Sequence, residues 1–436
     1  MPRRTLEDRR AGVLPPDAPH FFDEILHVVK GEGMWLWDAE GRKYLDFYNN
    51  VASVGHCHPR VVEALAAQAA TLNISTRYLN ERIVEFAEAL KAKLPGHLDT
   101  CYFACTGTEA NDLAIQVARH VTGRHGVLAG EFCYHGTSTL VLALSTDSYP
   151  PADRPDWLAT FEVPDLYRGS FREDDPQAGE KYLAQVVEQL DRLEARGHRL
   201  AAALIDCSFD NIGVVRPPDG FMSALFAEVR RRGGLLIADE VQAGYCRMGT
   251  HWWGFQHHGM EPDIVTCSKP MGDGHPISVM VARRELAEKF GDTYSYFNTT
   301  AGSPVAGAVG KAVIDVFDKE GLLARATDTG AYMADRLAEL AGRHAIVGTA
   351  RGYGMFQGLE IVSDVSARTP ITSARARHLT TLIAAEGLIT GTSGIHGNII
   401  KIRPPLIAER THVDRAVAAL DRALARFARE QADGSA

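Results

Sequence analysis

Leu235-Leu236-Ile237-Ala238 runs directly into Asp239-Glu240-Val241-Gln242, an unbroken apolar stretch closed by an acid. Bounded upstream by Gly233-Gly234, it predicts a strand buried on both faces, as parallel sheets require. Before it lies a helical stripe of Phe221, Leu225, Phe226 and Val229. Before that come a short apolar strand, Ala201 to Ile205, and a second stripe of Tyr182, Val186, Val187, Leu190 and Leu193. Strand, helix and strand with short joints predict a right-handed parallel crossover. The fold class is therefore α/β, with a mainly parallel sheet flanked by helices.

Working outward, further strands are expected at 263–268, 279–282 and Gly354–Glu360, and helices at 305–318 and 322–342. Pro59 suits the first position of a helix whose Val61, Val62, Leu65, Ala66 and Ala69 make an apolar face. Met34 to Trp37 and Lys43 to Asp46 read as a hairpin turning at Glu40-Gly41. Residues 1–34 read as an irregular arm, with Pro15, Pro16 and Pro19 ahead of Phe21 and Phe22. The expected organisation is an arm and part of a small domain over 1–58, a large domain over 59–325, and the rest of the small α+β domain over 326–436.

Composition narrows the class. The 436 residues are 45% hydrophobic and 23% charged, the balance of a soluble globular protein. No run reaches the ~18 uncharged apolar residues of a membrane span, and the basic N-terminus has no apolar stretch behind it to make a secretory signal. Seven cysteines without paired spacing suit a reducing cytoplasm. A net charge of -9 supplies no attraction to nucleic acid or to an anionic membrane.

Common catalytic motifs are missing: no GxGxxG, no GxxxxGK[ST], no GxSxG and no HExxH. Ligands in open α/β sheets gather at the carboxyl ends of strands, and two such ends carry charge here. One is Asp239; the other is Lys269, in Ser268-Lys269-Pro270 after the apolar run from Asp263. Of ten lysines, Lys269 alone follows a buried strand and precedes a Gly-rich loop, Met271 to Pro276. A carboxylate and an amine so delivered fit pyridoxal phosphate, whose ring nitrogen must stay protonated and whose aldehyde needs a primary amine. Thr106-Gly107-Thr108-Glu109-Ala110-Asn111 opens a helix and offers backbone amides to a phosphate. Tyr134, in Phe132-Cys-Tyr-His-Gly136, is placed to stack on a ring. His56-Cys57-His58 reads as a turn into a helix and His257-His258 as a loop, so no metal site is expected.

With those residues in hand, the chain resembles the class III (omega) aminotransferases, from Tyr44-Leu-Asp46 and Gly55-His-Cys-His-Pro59 to Ile402-Arg-Pro-Pro405. The resemblance implies fold type I, pyridoxal 5'-phosphate and a homodimer with shared active sites. It makes Lys269 the Schiff-base lysine and Asp239 the partner of the ring nitrogen. Val241 and Gln242 become ring contacts, Gly107 and Thr108 the phosphate loop, and Tyr134 and His135 the stacking segment. Thr299 becomes the residue reaching the neighbouring subunit's phosphate. Asn50, Tyr78, Lys401 and Arg403 fall in segments facing the substrate, a small amine or amino acid of anionic character. Tyr48-Asn-Asn-Val51, Ser75 to Leu79, Tyr167-Arg-Gly169 and Lys269 to Pro276 are most similar to the phosphoethanolamine and phosphohydroxylysine phospho-lyase branch. The family's acidic gate segment stands here as Asp206-Cys-Ser-Phe-Asp-Asn211. The expected reaction is transfer of an amino group to a 2-oxo acid, with elimination of phosphate or ammonia as the alternative. Retention of Lys269, Asp239 and the phosphate loop speaks against a catalytically silent relative.

Overall fold

The computed structural model describes residues 5–15 and 21–432. The strand Leu235–Asp239 lies in the middle of a seven-stranded sheet. From one edge to the other the strands are Thr100–Ala104, Ser278–Ala282, Ile264–Cys267, Leu235–Asp239, Leu200–Asp206, Gly126–Gly130 and Leu158–Phe161. Only Ser278–Ala282 runs antiparallel to its neighbours. The strands over 200–206 and 126–130 are buried at every residue, which explains their unalternating apolar sequences. Helix Ala178–Ala195 and helix Phe221–Arg231 bury the two stripes read from the sequence, except that Val187 is only partly covered.

Strand register brings the charged ends together. Asp206 is paired with Asp239, and Asp239 with Thr266. Three strand ends therefore stand abreast, and Lys269 comes next on a short 3-10 turn, Lys269–Met271. Helix Gly107–Thr122 points its N-terminus at the same edge. Thr106 caps it by accepting from the Glu109 amide, and Glu109 returns a bond from the Thr106 amide.

Two smaller sheets complete the chain. Val347–Tyr353, Phe356–Asp364, Ile399–Ile402 and Gly391–Ser393 form an antiparallel sheet. Val28–Glu32, Trp35–Asp38 and Lys43–Asp46 form a meander whose last strand pairs in parallel with Leu388–Ile389. The chain's two ends thus share one sheet, as the sequence led us to expect.

Several expectations need correction. The strand expected at Gly354–Glu360 starts at Phe356, because Tyr353-Gly354-Met355 turns a hairpin. Gly354 has φ +42, and a Cβ there would stand 2.6 Å from the Gly249 backbone, so only glycine fits. Helix Leu322–Arg343 runs without a break through the 325/326 division. Leu6–Ala11 is a short capped helix inside the supposed irregular arm, while Pro16 and Pro19 lie outside the described residues. Helix Pro59–Thr71 buries only Val61 of its apolar face. Val62 is 50% and Leu65 37% exposed, and Ala66 and Ala69 are exposed as well, since the described residues pack nothing over them.

Candidate active site

Strand ends, helix mouth and the Lys269 turn enclose a cavity of about 220 Å³. A larger open cleft of about 630 Å³, bounded by Arg216 and Tyr353, contains no lysine and lies away from these strand ends. Chemistry, not size, picks out the smaller cavity.

Asp239 forms its acidic floor. Its Oδ2 accepts from Asn111 Nδ2 at 2.8 Å and faces His135 Nδ1 at 2.7 Å, while Oδ1 accepts from the Val241 amide at 3.1 Å. Asn111 is itself fixed, donating to the His135 carbonyl at 2.9 Å and accepting from Thr266 Oγ1 at 2.6 Å. A buried carboxylate given this many partners is held in one orientation. The His135 side chain is wholly buried with Nδ1 against Asp239, and Tyr134, 44% exposed, presents an aromatic face to the cavity.

Lys269 opens onto the cavity but is otherwise enclosed by protein. Burial depresses its ammonium below the ordinary lysine value, with Asp210 pulling the other way. Gly107 permits the helix mouth to come close to Val241, since a Cβ there would sit 3.1 Å from the valine methyl. The first amides of this helix, at Gly107 and Thr108, precede any intrahelical acceptor and face the cavity as anion donors.

On the opposite side, Gln242 Oε1 accepts from Asn50 Nδ2 at 2.6 Å and from Arg403 Nη1 at 2.7 Å. Arg403 also donates to the Tyr48 carbonyl at 2.9 Å and lies over the Tyr48 ring. Lys401 Nζ is 2.7 Å from Asp210 Oδ2, both side chains being 6% exposed. Lys401 and Arg403 consequently stand one layer behind Asp210 and Gln242 and do not line the cavity. Tyr78 is 63% exposed, and Thr299 is exposed too; neither lines the cavity of its own chain.

Sequence reasoning left three site residues unassigned. Asn111 was visible in the helix-opening motif, but its contact with Asp239 spans 128 positions. Asp206 and Asp210 carried a signal, an acid closing an apolar strand just as Asp239 does. Burial, Asp210 and Asp239 push the Asp206 carboxyl up to about 7. Asp210, although buried, is held below its ordinary value by Lys401 and Arg403.

An amine of depressed basicity, an oriented carboxylate and a helix mouth around one cavity define a pyridoxal-phosphate-dependent enzyme. The model of the family "Aminotransferase class-III" matches residues 18–424, and the chain belongs to that family. It is 37% identical over 396 residues to "Alanine--glyoxylate aminotransferase 2-like" of Drosophila melanogaster, covering 89% of this chain and 80% of that protein. It is 35% identical over 418 residues to "Ethanolamine-phosphate phospho-lyase homolog 1" of Caenorhabditis elegans, covering 93% and 89%. Among solved structures, a phospholyase from Arthrobacter in complex with phosphoethanolamine superposes with a TM-score of 0.93 at 39% identity, covering 97% of this chain and 99% of that one. The fold is type I and the cofactor pyridoxal 5'-phosphate. Among the described residues, no helix is long and apolar enough to cross a membrane.

Proposed function

We propose that this enzyme is a phospho-lyase that removes phosphate from a small phosphorylated amine. The observation that carries the reading is the match, over nearly the full length of both chains, to a phospholyase solved with phosphoethanolamine. In this reading Lys269 holds the cofactor aldehyde, Asp239 the ring nitrogen, and the Gly107 and Thr108 amides the cofactor phosphate. Val241 and Tyr134 bound the ring, and Gln242 sits at its edge. Bound pyridoxal phosphate supplies an electron sink for the carbanion formed at the carbon bearing the substrate nitrogen. Lys269, released as a free amine, takes the proton from that carbon; burial lowers its basicity below that of an ordinary lysine. The carbon–oxygen bond on the adjacent carbon then breaks, phosphate departs with the bonding pair, and water converts the unsaturated amine to an aldehyde and ammonia.

Transamination to a 2-oxo acid is the second reading, favoured by the likeness to the alanine–glyoxylate aminotransferase 2-like protein. One experiment separates the two. Holoenzyme given phosphoethanolamine should release inorganic phosphate and ammonia in equal amounts without any oxo acid. Turnover that requires glyoxylate or pyruvate and yields an amino acid would replace the lyase reading with the transaminase one.

The working unit in this proposal is a homodimer in a reducing compartment such as the cytoplasm. The uncovered face of helix Pro59–Thr71 and the exposed Thr299 support the first element, and seven free cysteines support the second.

A further inference from the structure

We propose that Asp210 decides between elimination and transamination by keeping the abstracted proton on Lys269. The inference rests on the phospho-lyase reading and begins from a choice that the catalytic amine faces. Lys269 Nζ takes a proton as the substrate's carbon–hydrogen bond breaks, and becomes an ammonium. If that proton passes on to the cofactor's aldehyde carbon, the substrate's nitrogen stays with the cofactor, and an oxo acid must remove it. If the proton stays on Nζ, the adjacent carbon–oxygen bond breaks instead, and phosphate leaves with the bonding pair. A fixed anion beside Nζ favours the ammonium, and with it the second path.

Three carboxylates line the cavity with Lys269, and two of them are spent elsewhere. Asp239 is taken up by Asn111 and His135 and, in the proposed reading, by the cofactor's ring nitrogen. Asp206 turns back on its own chain. Its Oδ1 accepts from the Ser208 amide at 2.9 Å and the Ser208 hydroxyl at 2.8 Å, and its Oδ2 from the Asp210 amide at 2.9 Å. Asp210 is the remaining acid. Its Oδ2 accepts from Lys401 Nζ at 2.7 Å, with Arg403 Nη1 4.0 Å away, and among the described residues no hydrogen bond falls on Oδ1. One oxygen is thus anchored from behind the wall while the carboxylate itself lines the cavity.

Charge and position both suit Asp210 to this task. Although burial pushes its carboxyl up, Lys401 and Arg403 hold it below the ordinary value, so it stays an anion. Burial weakens the hold of Lys269 on a proton, and of the surrounding charges Asp210 opposes that most strongly, ahead of Asp239 and Asp206. The turn carrying Asp210 is tied on both sides. The Gly213 amide donates to the Asp210 carbonyl at 3.1 Å, Asn211 Nδ2 donates to Asp147 at 2.6 Å, and the Asn211 carbonyl accepts from the Gly394 amide at 2.8 Å. An acid held this way keeps its place through the catalytic cycle. Asp210 is a positioning residue: it acts on the reacting atoms through Lys269.

The test uses holoenzyme and phosphoethanolamine without added oxo acid. Wild type should release phosphate over many turnovers while the near-visible absorbance of its cofactor is retained. Asp210→Asn should aminate its cofactor about ten- to hundredfold more often per phosphate released. That shift is read as loss of the absorbance and of activity, both recovered on adding pyruvate. Because Asp210→Asn leaves Lys401 buried without its partner, Asp210→Asn/Lys401→Met, which removes both charges, is the second variant. It should regain unfolding stability yet keep the altered partition. A partition restored to that of wild type would mean that Asp210 serves only to pair Lys401, and would overturn the proposal. The readout independent of turnover is recapture of pyridoxal phosphate by cofactor-free protein, which needs unprotonated Lys269. Its pH midpoint should fall by about one unit in Asp210→Asn, and in the same direction in the double variant. An unmoved midpoint counts against the proposal equally. Wild type that releases no phosphate refutes the lyase reading and this proposal together, whereas phosphate release with an unchanged partition in Asp210→Asn refutes this proposal alone.

Discussion

His135 and Asp239 are joined at 2.7 Å between Nδ1 and Oδ2, and their side chains are 0% and 6% exposed. With Nδ1 against the carboxylate, the imidazole is a positioning group for the acid. His135→Phe should then lower kcat/KM about ten- to hundredfold, the worth of a hydrogen bond to a charged group. Asn111→Ala should act similarly, and the two together should cost less than the sum, because they share one oxygen. Steady-state kinetics of the two variants and their double mutant measure this directly.

Asp239→Ala removes the anion that both residues orient. Turnover should drop by several orders of magnitude while the far-ultraviolet spectrum is retained. Near-normal turnover would mean that Asp206, paired beside Asp239 in the sheet, takes over the role.

Lys269→Ala should abolish covalent retention of the cofactor. Borohydride treatment of wild type should fix the pyridoxyl group on the peptide containing Lys269, as read by mass spectrometry. Labelling on any of the other nine lysines would move the catalytic amine elsewhere.

Lys401→Met leaves Asp210 buried without its close counter-ion. Breaking such a pair costs on the order of 3–5 kcal/mol, and denaturant unfolding should report a loss of this size. Adding Asp210→Asn should restore much of it. Arg403→Ala is expected to act mainly on KM, about tenfold, because it frees Gln242 and the loop carrying Tyr48 and Asn50.

Stability should also carry a pH signature from Asp273. Burial raises its carboxyl to about 7, against the Val54 amide and His56, which pull it down. An acid whose value is raised in the folded state contributes most below its unfolded value near 4. That contribution is lost as pH rises through 7. Cofactor-free protein should therefore lose a few kcal/mol of unfolding free energy between about pH 4 and pH 8. Asp273→Asn should flatten the Asp273 part of that slope. An identical slope in the variant would assign it to the other raised acids, Asp147, Asp206 and Glu240.

The parts of this molecule legible in the sequence share a physical cause. The strand Leu235–Asp239 and the Lys269 turn could be read because a strand buried on both faces leaves an unbroken apolar run. A charge at its end is then conspicuous. Tight local chemistry, as in the Thr106–Glu109 cap, was equally visible. Glycines at both ends of the strand Gly126–Gly130 imitate turns, which leaves the bounds of the short strand ahead of Tyr134 illegible in the sequence. Helix Pro59–Thr71 misled in the other direction, since a stripe can be apolar without anything in its own chain to cover it. The roles of His135, Lys401 and Asn111 depended on partners more than a hundred positions away, which spacing along a chain does not encode.

The parallel pairing of Leu388–Ile389 with Leu45–Asp46 has a consequence for biosynthesis. A ribosome delivers the hairpin near residue 45 long before the strand that covers its edge. The gap is 343 residues, counted from 45 to 388, or roughly 17 to 70 s of translation at about 5–20 residues per second. During that interval the backbone donors and acceptors of Lys43–Asp46 stay open on one side, a template for pairing with a neighbouring nascent chain. Ser53, a few residues on, donates to the carbonyl of Pro270, next to Lys269. The turn carrying Lys269 is thus tied to a segment made 217 residues earlier, beside the strand whose edge is covered last.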